Sequence, residues 1–183
     1  MPPESQAARR VELVAARVRS IPDFPQPGVV FKDITPVLAD AEAFAAAVSW
    51  LAESFAEPVD KVVAIEARGF ILGAPVAYAR MAGLVPVRKV GKLPAKKVST
   101  SYTLEYGEAA LEMHVDAVGP GERVLVVDDV IATGGTAEAT VGMVERSGAA
   151  VVGIAALLEV PGLGGLDRLA THRVRVMLPS EGA

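Results

Sequence analysis

The chain has 183 residues, 51% hydrophobic and 22% charged, a balance that suits one folded domain with a sizeable core and excludes a disordered polymer. A net charge of -4 gives no electrostatic reason to expect a nucleic-acid partner. With no cysteine and only two histidines, disulfides, thiolate catalysis, Cys-ligated metals and a multi-His metal centre fall away.

Met1 to Arg10 is polar and charged, without the apolar run of a signal peptide. Ala149 to Leu158, the most apolar segment, is too short to span a bilayer, so a cytoplasmic protein with no membrane partner is expected. Val11, Val14, Val18 and Ile21 share a helical face, and Pro22 is expected to end that helix. Asp40 is a candidate N-cap for a second helix carrying the stripe Phe44, Val48, Leu51 and Phe55. Lys61 to Ile65 reads as a strand, and Gly69 to Met81 as a helix that Pro75 is expected to kink or delay. Leu84 to Arg88 is a further strand. Leu111, Met113 and Val115 alternate with Glu112, His114 and Asp116, the pattern of a half-exposed strand. After the segment Val124 to Arg146 come strands at Val151 to Leu158 and Arg173 to Leu178.

Such alternation predicts an α/β fold, a parallel-sheet core with helices on both faces, in a single domain over residues 1–183. Two long stretches fit it poorly, Asp23 to Thr35 and Gly91 to Tyr106; loops of that length in a compact domain are usually functional.

The richest segment is Val124-Leu125-Val126-Val127-Asp128-Asp129-Val130-Ile131-Ala132-Thr133-Gly134-Gly135-Thr136. An apolar strand is expected to end at two adjacent carboxylates, followed by a small hydroxyl-rich loop and a helix from Ala137 to Arg146. Two carboxylates about 5 Å apart repel by roughly 3 kcal/mol at an effective dielectric of 20. A cation, sugar hydroxyls or both would offset that; taken alone, the pair reads equally well as a helix cap plus an ion pair. The loop favours the ligand. Glycines let backbone N–H groups approach phosphate oxygens, and a helix N-terminus favours an anion. The segment contains no Gly-Lys-Ser/Thr, so it is not a Walker loop.

Val124 to Thr136 resembles the phosphoribosyl-diphosphate (PRPP) signature of the type I phosphoribosyltransferases. Three further stretches resemble the adenine-using branch of that family. Phe24 to Pro36 is similar to its N-terminal hood (about residues 21–36), Glu66-Ala67-Arg68-Gly69-Phe70 to its diphosphate loop, and Gly91 to Gly107 to its mobile catalytic loop.

The resemblance implies a type I phosphoribosyltransferase fold with a small hood and a mobile loop. It implies an Mg²⁺-dependent transferase making AMP and diphosphate from adenine and PRPP, and a homodimer. Asp128 and Asp129 would hold the ribose hydroxyls and support an oxocarbenium-like transition state, touching the metal indirectly. Ala132, Thr133, Gly134, Gly135 and Thr136 would hold the 5-phosphate. Arg68 would grip the diphosphate, its fork suiting phosphate oxygens, with a cis peptide nearby at Glu66-Ala67. Arg88, Lys89 and Lys92 would neutralise the leaving group, some of them across a dimer interface, while Lys96 and Lys97 stay in solvent. Val30 and Phe31 would read and stack the base; Lys32 stands where many relatives carry arginine and lacks its fork. Glu105, between Tyr102 and Tyr106, would manage the purine proton. His114 and His172 receive no role. A 6-oxopurine enzyme and a non-catalytic PRPP-sensing regulator are the rival readings; the second would need a DNA-binding module or a basic surface.

Overall fold

A computed structural model describes residues 3–103 and 108–179. Two compact units follow one another along the chain, the first up to Trp50 and the second from Leu51 onward.

In the first unit, helix α1 (Pro3–Ala15) is followed by strands β1 (Arg19–Pro22) and β2 (Val30–Asp33), then helices α2 (Thr35–Ala39) and α3 (Ala41–Glu53), the last running on into the second unit. The expected single helix through Val18 and Ile21 is corrected here. The helix ends at Ala15, and Ile21 instead faces Phe31 across an antiparallel pair. Periodicity alone could not separate these outcomes, because the β-branched Val18 and Ile21 suit a strand equally well. Part of the irregular stretch Asp23 to Thr35 is likewise strand β2. Asp40 caps α3 as expected, its Oδ1 accepting the N–H groups of Glu42 at 3.1 Å and Ala43 at 3.0 Å.

The second unit holds a seven-stranded sheet: β3 (Lys61–Ile65), β4 (Gly83–Lys89), β5 (Lys97–Thr103), β6 (Glu108–His114), β7 (Arg123–Ile131), β8 (Ala150–Glu159) and β9 (Val174–Leu178). Their order across the sheet is β5-β6-β4-β3-β7-β8-β9. β4, β3, β7, β8 and β9 are parallel, and the β5–β6 pair joins antiparallel at the β4 edge. This hairpin corrects the reading of Gly91 to Tyr106 as one irregular loop. Its first strand, Lys-Val-Ser-Thr-Ser-Tyr-Thr, is too polar to announce itself by hydrophobic pattern.

Helices α4 (Arg68–Ala79) and α5 (Gly135–Arg146) cover the two faces. Residues 69, 72, 73, 76 and 77 of α4 are buried, the spacing of one helical stripe. At Gly73 a Cβ would lie 2.5 Å from the Ala64 Cβ, so only glycine lets α4 sit this close to β3. Pro75 lies inside α4, which runs through it. On the opposite face Val63, Val126, Ile154 and the α5 residues Val141, Met143 and Val144 form one core cluster. Side chains alternate across a strand, so the nearly unbroken apolar runs of β3 and β7 feed both layers.

Strand β3 crosses over through α4 to β4 on one side, whereas β7 crosses over through α5 to β8 on the other. Between the carboxyl ends of β3 and β7 the order reverses, the place where open α/β sheets bind ligands. Among the described residues, no helix is long and apolar enough to cross a membrane.

Candidate active site

A cleft of about 530 Å³ opens at that reversal, walled by Glu66, Ala67 and Arg68 after β3, Lys89 at the end of β4, Asp128 to Ile131 of β7, and the loop that follows.

The strand does not end at the two carboxylates, as the sequence suggested, but runs on past them. β7 runs on to Ile131 beside β8, with Asp128 opposite Ala156 and Ile131 opposite Glu159. Asp129 is almost fully buried and pairs with the Arg68 Nε at 2.8 Å. The Asp128 Oδ1 accepts the backbone N–H of Asp129 at 2.9 Å. Helix α4 begins hard against this group: a Cβ at Gly69 would lie 2.8 Å from the Asp128 Oδ1. Burial, and then the Asp129 charge, push the Asp128 carboxyl well above the ordinary carboxylate range. Burial also raises Asp129, against the opposing pull of Arg68. An acid pair in this condition gains from any positive charge or hydroxyl donors brought to it.

Ala132, Thr133, Gly134 and Thr136 continue the wall. Gly134 has φ +75°, a left-handed turn that glycine adopts without strain, and it caps α5. Gly135 is buried in the first turn of the helix. A helix leaves its opening N–H groups without intrahelical acceptors, so α5 starts at the cleft as an anion site.

Glu66 was not singled out as a functional residue, yet it organises one side of the cleft. Its carboxylate receives the Arg88 Nε at 3.2 Å, the Arg88 Nη2 at 3.3 Å and the Lys89 backbone N–H at 3.0 Å. Burial alone would raise Glu66; these donors hold it below its ordinary value. The peptide between Glu66 and Ala67 is cis, as the family resemblance implied. Lys89 joins the wall, whereas Arg88 is engaged by Glu66 and the exposed Lys92 lies outside the wall.

Glu112 corrects the reading of its strand as half-exposed. It is fully buried, with Oε1 accepting the N–H groups of Lys92 at 2.8 Å and Leu93 at 2.6 Å. Lys97, expected to stand free in solvent, approaches the Glu112 Oε2 at 3.3 Å and donates to the Leu93 carbonyl at 2.9 Å. The turn Gly91 to Leu93 folds over the face that alternation left open, and alternation carries no sign of that.

In the first unit, Val30, Phe31 and Lys32 stand consecutively on β2. Val30 is 53% exposed. Phe31 meets Phe24 edge-on at 5.2 Å, and the Lys32 Nζ donates to the Ser20 Oγ at 2.8 Å. Glu105 and Tyr106 lie outside the described residues. Among the described residues, no group of three or more His, Cys, Asp or Glu side chains could hold a metal ion.

Residues 32–174 match the family model described as the phosphoribosyl transferase domain, and the chain belongs to that family. It is 57% identical over 168 residues to the adenine phosphoribosyltransferase of Acidothermus cellulolyticus, an alignment covering 91% of this chain and 95% of that one. Among solved structures it resembles the adenine phosphoribosyltransferase of Rhodothermus marinus, with TM-score 0.89 and 53% identity over 94% of this chain and 99% of the other. It also resembles the enzyme of Saccharomyces cerevisiae complexed with an imino-altritol bisphosphate and adenine, with TM-score 0.88 and 33% identity over 93% and 99% of the chains. Within the family, its place is among the adenine phosphoribosyltransferases.

Proposed function

We infer that this chain transfers the 5-phosphoribosyl group of PRPP to adenine, giving AMP and diphosphate, a purine-salvage reaction. The observation that carries this is the meeting of Arg68, the Asp128–Asp129 pair and the loop Ala132 to Thr136 in one cleft at the sheet reversal. The bond from the ribose anomeric carbon to diphosphate breaks, a bond to adenine nitrogen forms with inversion, and that nitrogen loses its proton. Positive charge on the ribose builds beside two carboxylates, which is the stabilisation a dissociative transition state needs. Loop Ala132 to Thr136 and the start of α5 take the 5-phosphate; Arg68 and Lys89, with Arg88 and Lys92 close to Lys89 in sequence, neutralise diphosphate. Val30, Phe31 and Lys32 are assigned to adenine, with Phe31 as the stacking face. Glu105 is assigned the purine proton, with Tyr106 beside it on a closing loop.

Mg²⁺ fits this donor set as an ion that arrives with PRPP. One or two carboxylates plus substrate phosphate oxygens are its usual partners, and the Asp128–Asp129 pair offers them, Glu66 being engaged by Arg88 and the Lys89 N–H. It would supply charge neutralisation on the diphosphate. A homodimer is supported by the large apolar side chains left exposed along α4, the turn after it and the start of β4: Ile71, Tyr78, Met81 and Leu84, with Tyr78 84% and Met81 89% exposed. A cytoplasmic location agrees with the absence of cysteine.

Incubation of purified protein with PRPP, Mg²⁺ and each purine base in turn, with nucleotide and diphosphate measured, tests the assignment. AMP from adenine is expected at the highest rate. Faster turnover of hypoxanthine or guanine would overturn the choice of base, since a site built for a 6-amino group leaves donors and acceptors mismatched with a 6-oxo purine.

A further inference from the structure

Against the phosphate loop lies a short segment, Gly162 to Leu169, containing helix α6 (Gly165–Arg168); its Leu163 lines the cleft, while Gly165 packs on the loop from outside the cleft lining. Its backbone presses on the loop more closely than side chains would permit. A Cβ at Gly165 would lie 2.2 Å from the Ala132 carbonyl oxygen and 2.8 Å from the Ile131 Cγ2. The contact is reciprocal, for a Cβ at Gly134 would lie 2.7 Å from the Gly165 carbonyl oxygen. Two further ties hold the segment in place. The Arg168 Nε pairs at 2.6 Å with the Oε2 of Glu138, which stands in the first turn of α5. Leu169 is fully buried in the core cluster beneath α5. The Val160 N–H, donating to the Ile131 carbonyl at 2.9 Å, fixes the chain's entry into the segment.

We propose that Gly165 is a positioning residue for the 5-phosphate. The α6 turn is the rigid backing against which Ala132 to Thr136 is moulded, and the missing Cβ at 165 sets how deep that loop sits. The inference rests on the assignment of Ala132 to Thr136 to the 5-phosphate. Two backbones in contact have no soft side chain between them, so a methyl group at 165 displaces the Ala132 carbonyl instead of being absorbed. A loop shifted by a fraction of an ångström still permits folding but presents its N–H groups off their mark, and misplacement of this order costs about ten- to a hundredfold. The loss should fall on phosphate affinity and spare the acid pair, which β7 holds in register with β8.

The test compares wild type, Gly165→Ala and Gly162→Ala by calorimetric binding of ribose 5-phosphate, thermal melting and steady-state kinetics. Gly162 has φ +78° with nothing within 4 Å of its Cβ position, so alanine there strains the same segment without touching the loop. Gly165→Ala is expected to weaken ribose 5-phosphate binding and raise the KM for PRPP by about tenfold or more, with kcat at saturating PRPP within about threefold of wild type. Gly162→Ala is expected to lower the melting temperature while leaving ribose 5-phosphate affinity unchanged. Equal affinity of wild type and Gly165→Ala, or equal losses in both variants, would overturn the proposal. Should Gly165→Ala yield no folded protein, Arg168→Gln decides: binding about threefold weaker at low salt supports the backing role, and unchanged binding rejects it. Failure of wild type itself to bind ribose 5-phosphate would instead sink the phosphate assignment.

Discussion

At the scale of single residues, the site is a compromise between charge and burial. Asp128 has a folded-state pKa raised by burial and by its neighbour, so its ionisation costs the fold free energy. The penalty is absent below the ordinary aspartate value of 3.8 and grows as pH rises above it. Asparagine keeps the oxygen that accepts the Asp129 N–H and removes the charge. Asp128→Asn should therefore melt higher than wild type at neutral pH, each kcal/mol relieved being worth about 2–4 °C, and the gain should vanish in acid. The same variant should lose about 10²- to 10³-fold in kcat if Asp128 faces the developing positive charge as proposed. Melting curves at several pH values, read beside turnover, check both halves. A variant that melts lower at neutral pH would show that the carboxylate stabilises the fold instead.

Among the elements, the β5–β6 hairpin shows most clearly where sequence patterning fails. Strand β6 was legible from alternation, but alternation assigned Glu112 to solvent, and it is buried. The error has a physical source: a period of two states which residues share a face, not what later covers that face. Conversely, β5 was missed because its polar side chains give no apolar signal, although its backbone pairs fully with β6. Although burial alone would raise Glu112, N–H groups from Leu93, Gly91 and Lys92 together with the Lys97 ammonium hold it at about 2. A lowered carboxyl adds stability that is fully present above its ordinary 4.5 and is lost as pH falls from there through about 2. Glu112→Gln should flatten that acid limb of the stability curve, as chemical denaturation across pH 2 to 5 would reveal. An unchanged acid limb would mean other carboxylates set it, Asp33 being the obvious rival, since the Thr35 N–H and then Arg19 hold it at about 2.

For the molecule as a whole, the parallel sheet and its motif strand were legible because buried parallel strands write themselves as apolar runs, Lys61 to Ile65 and Val124 to Val127. The acid pair and glycine loop were legible because their chemistry is local in sequence. What stayed hidden were contacts between distant segments: Glu66 with Arg88, Gly165 with Ala132, Lys97 with Glu112. Assembly is open to the same reasoning. If the exposed apolar side chains of α4 and the turn after it join two copies, Tyr78→Arg combined with Met81→Arg should convert a dimer to a monomer in sedimentation velocity, without unfolding it. A wild type that sediments as a monomer at micromolar concentration would refute the dimer. Because β3 and β7 are direct neighbours, paired from Lys61 with Val124 to Ala64 with Val127, ladder hydrogen bonds set the strand spacing just beneath Arg68, proposed to grip diphosphate, and the acid pair, proposed to hold the ribose. That spacing behaves as a fixed gauge, cut when the strands zip together. No hinge has to close for the donor's two ends to be measured, so the capacity to recognise PRPP is acquired and forfeited in the same cooperative step as the centre of the sheet.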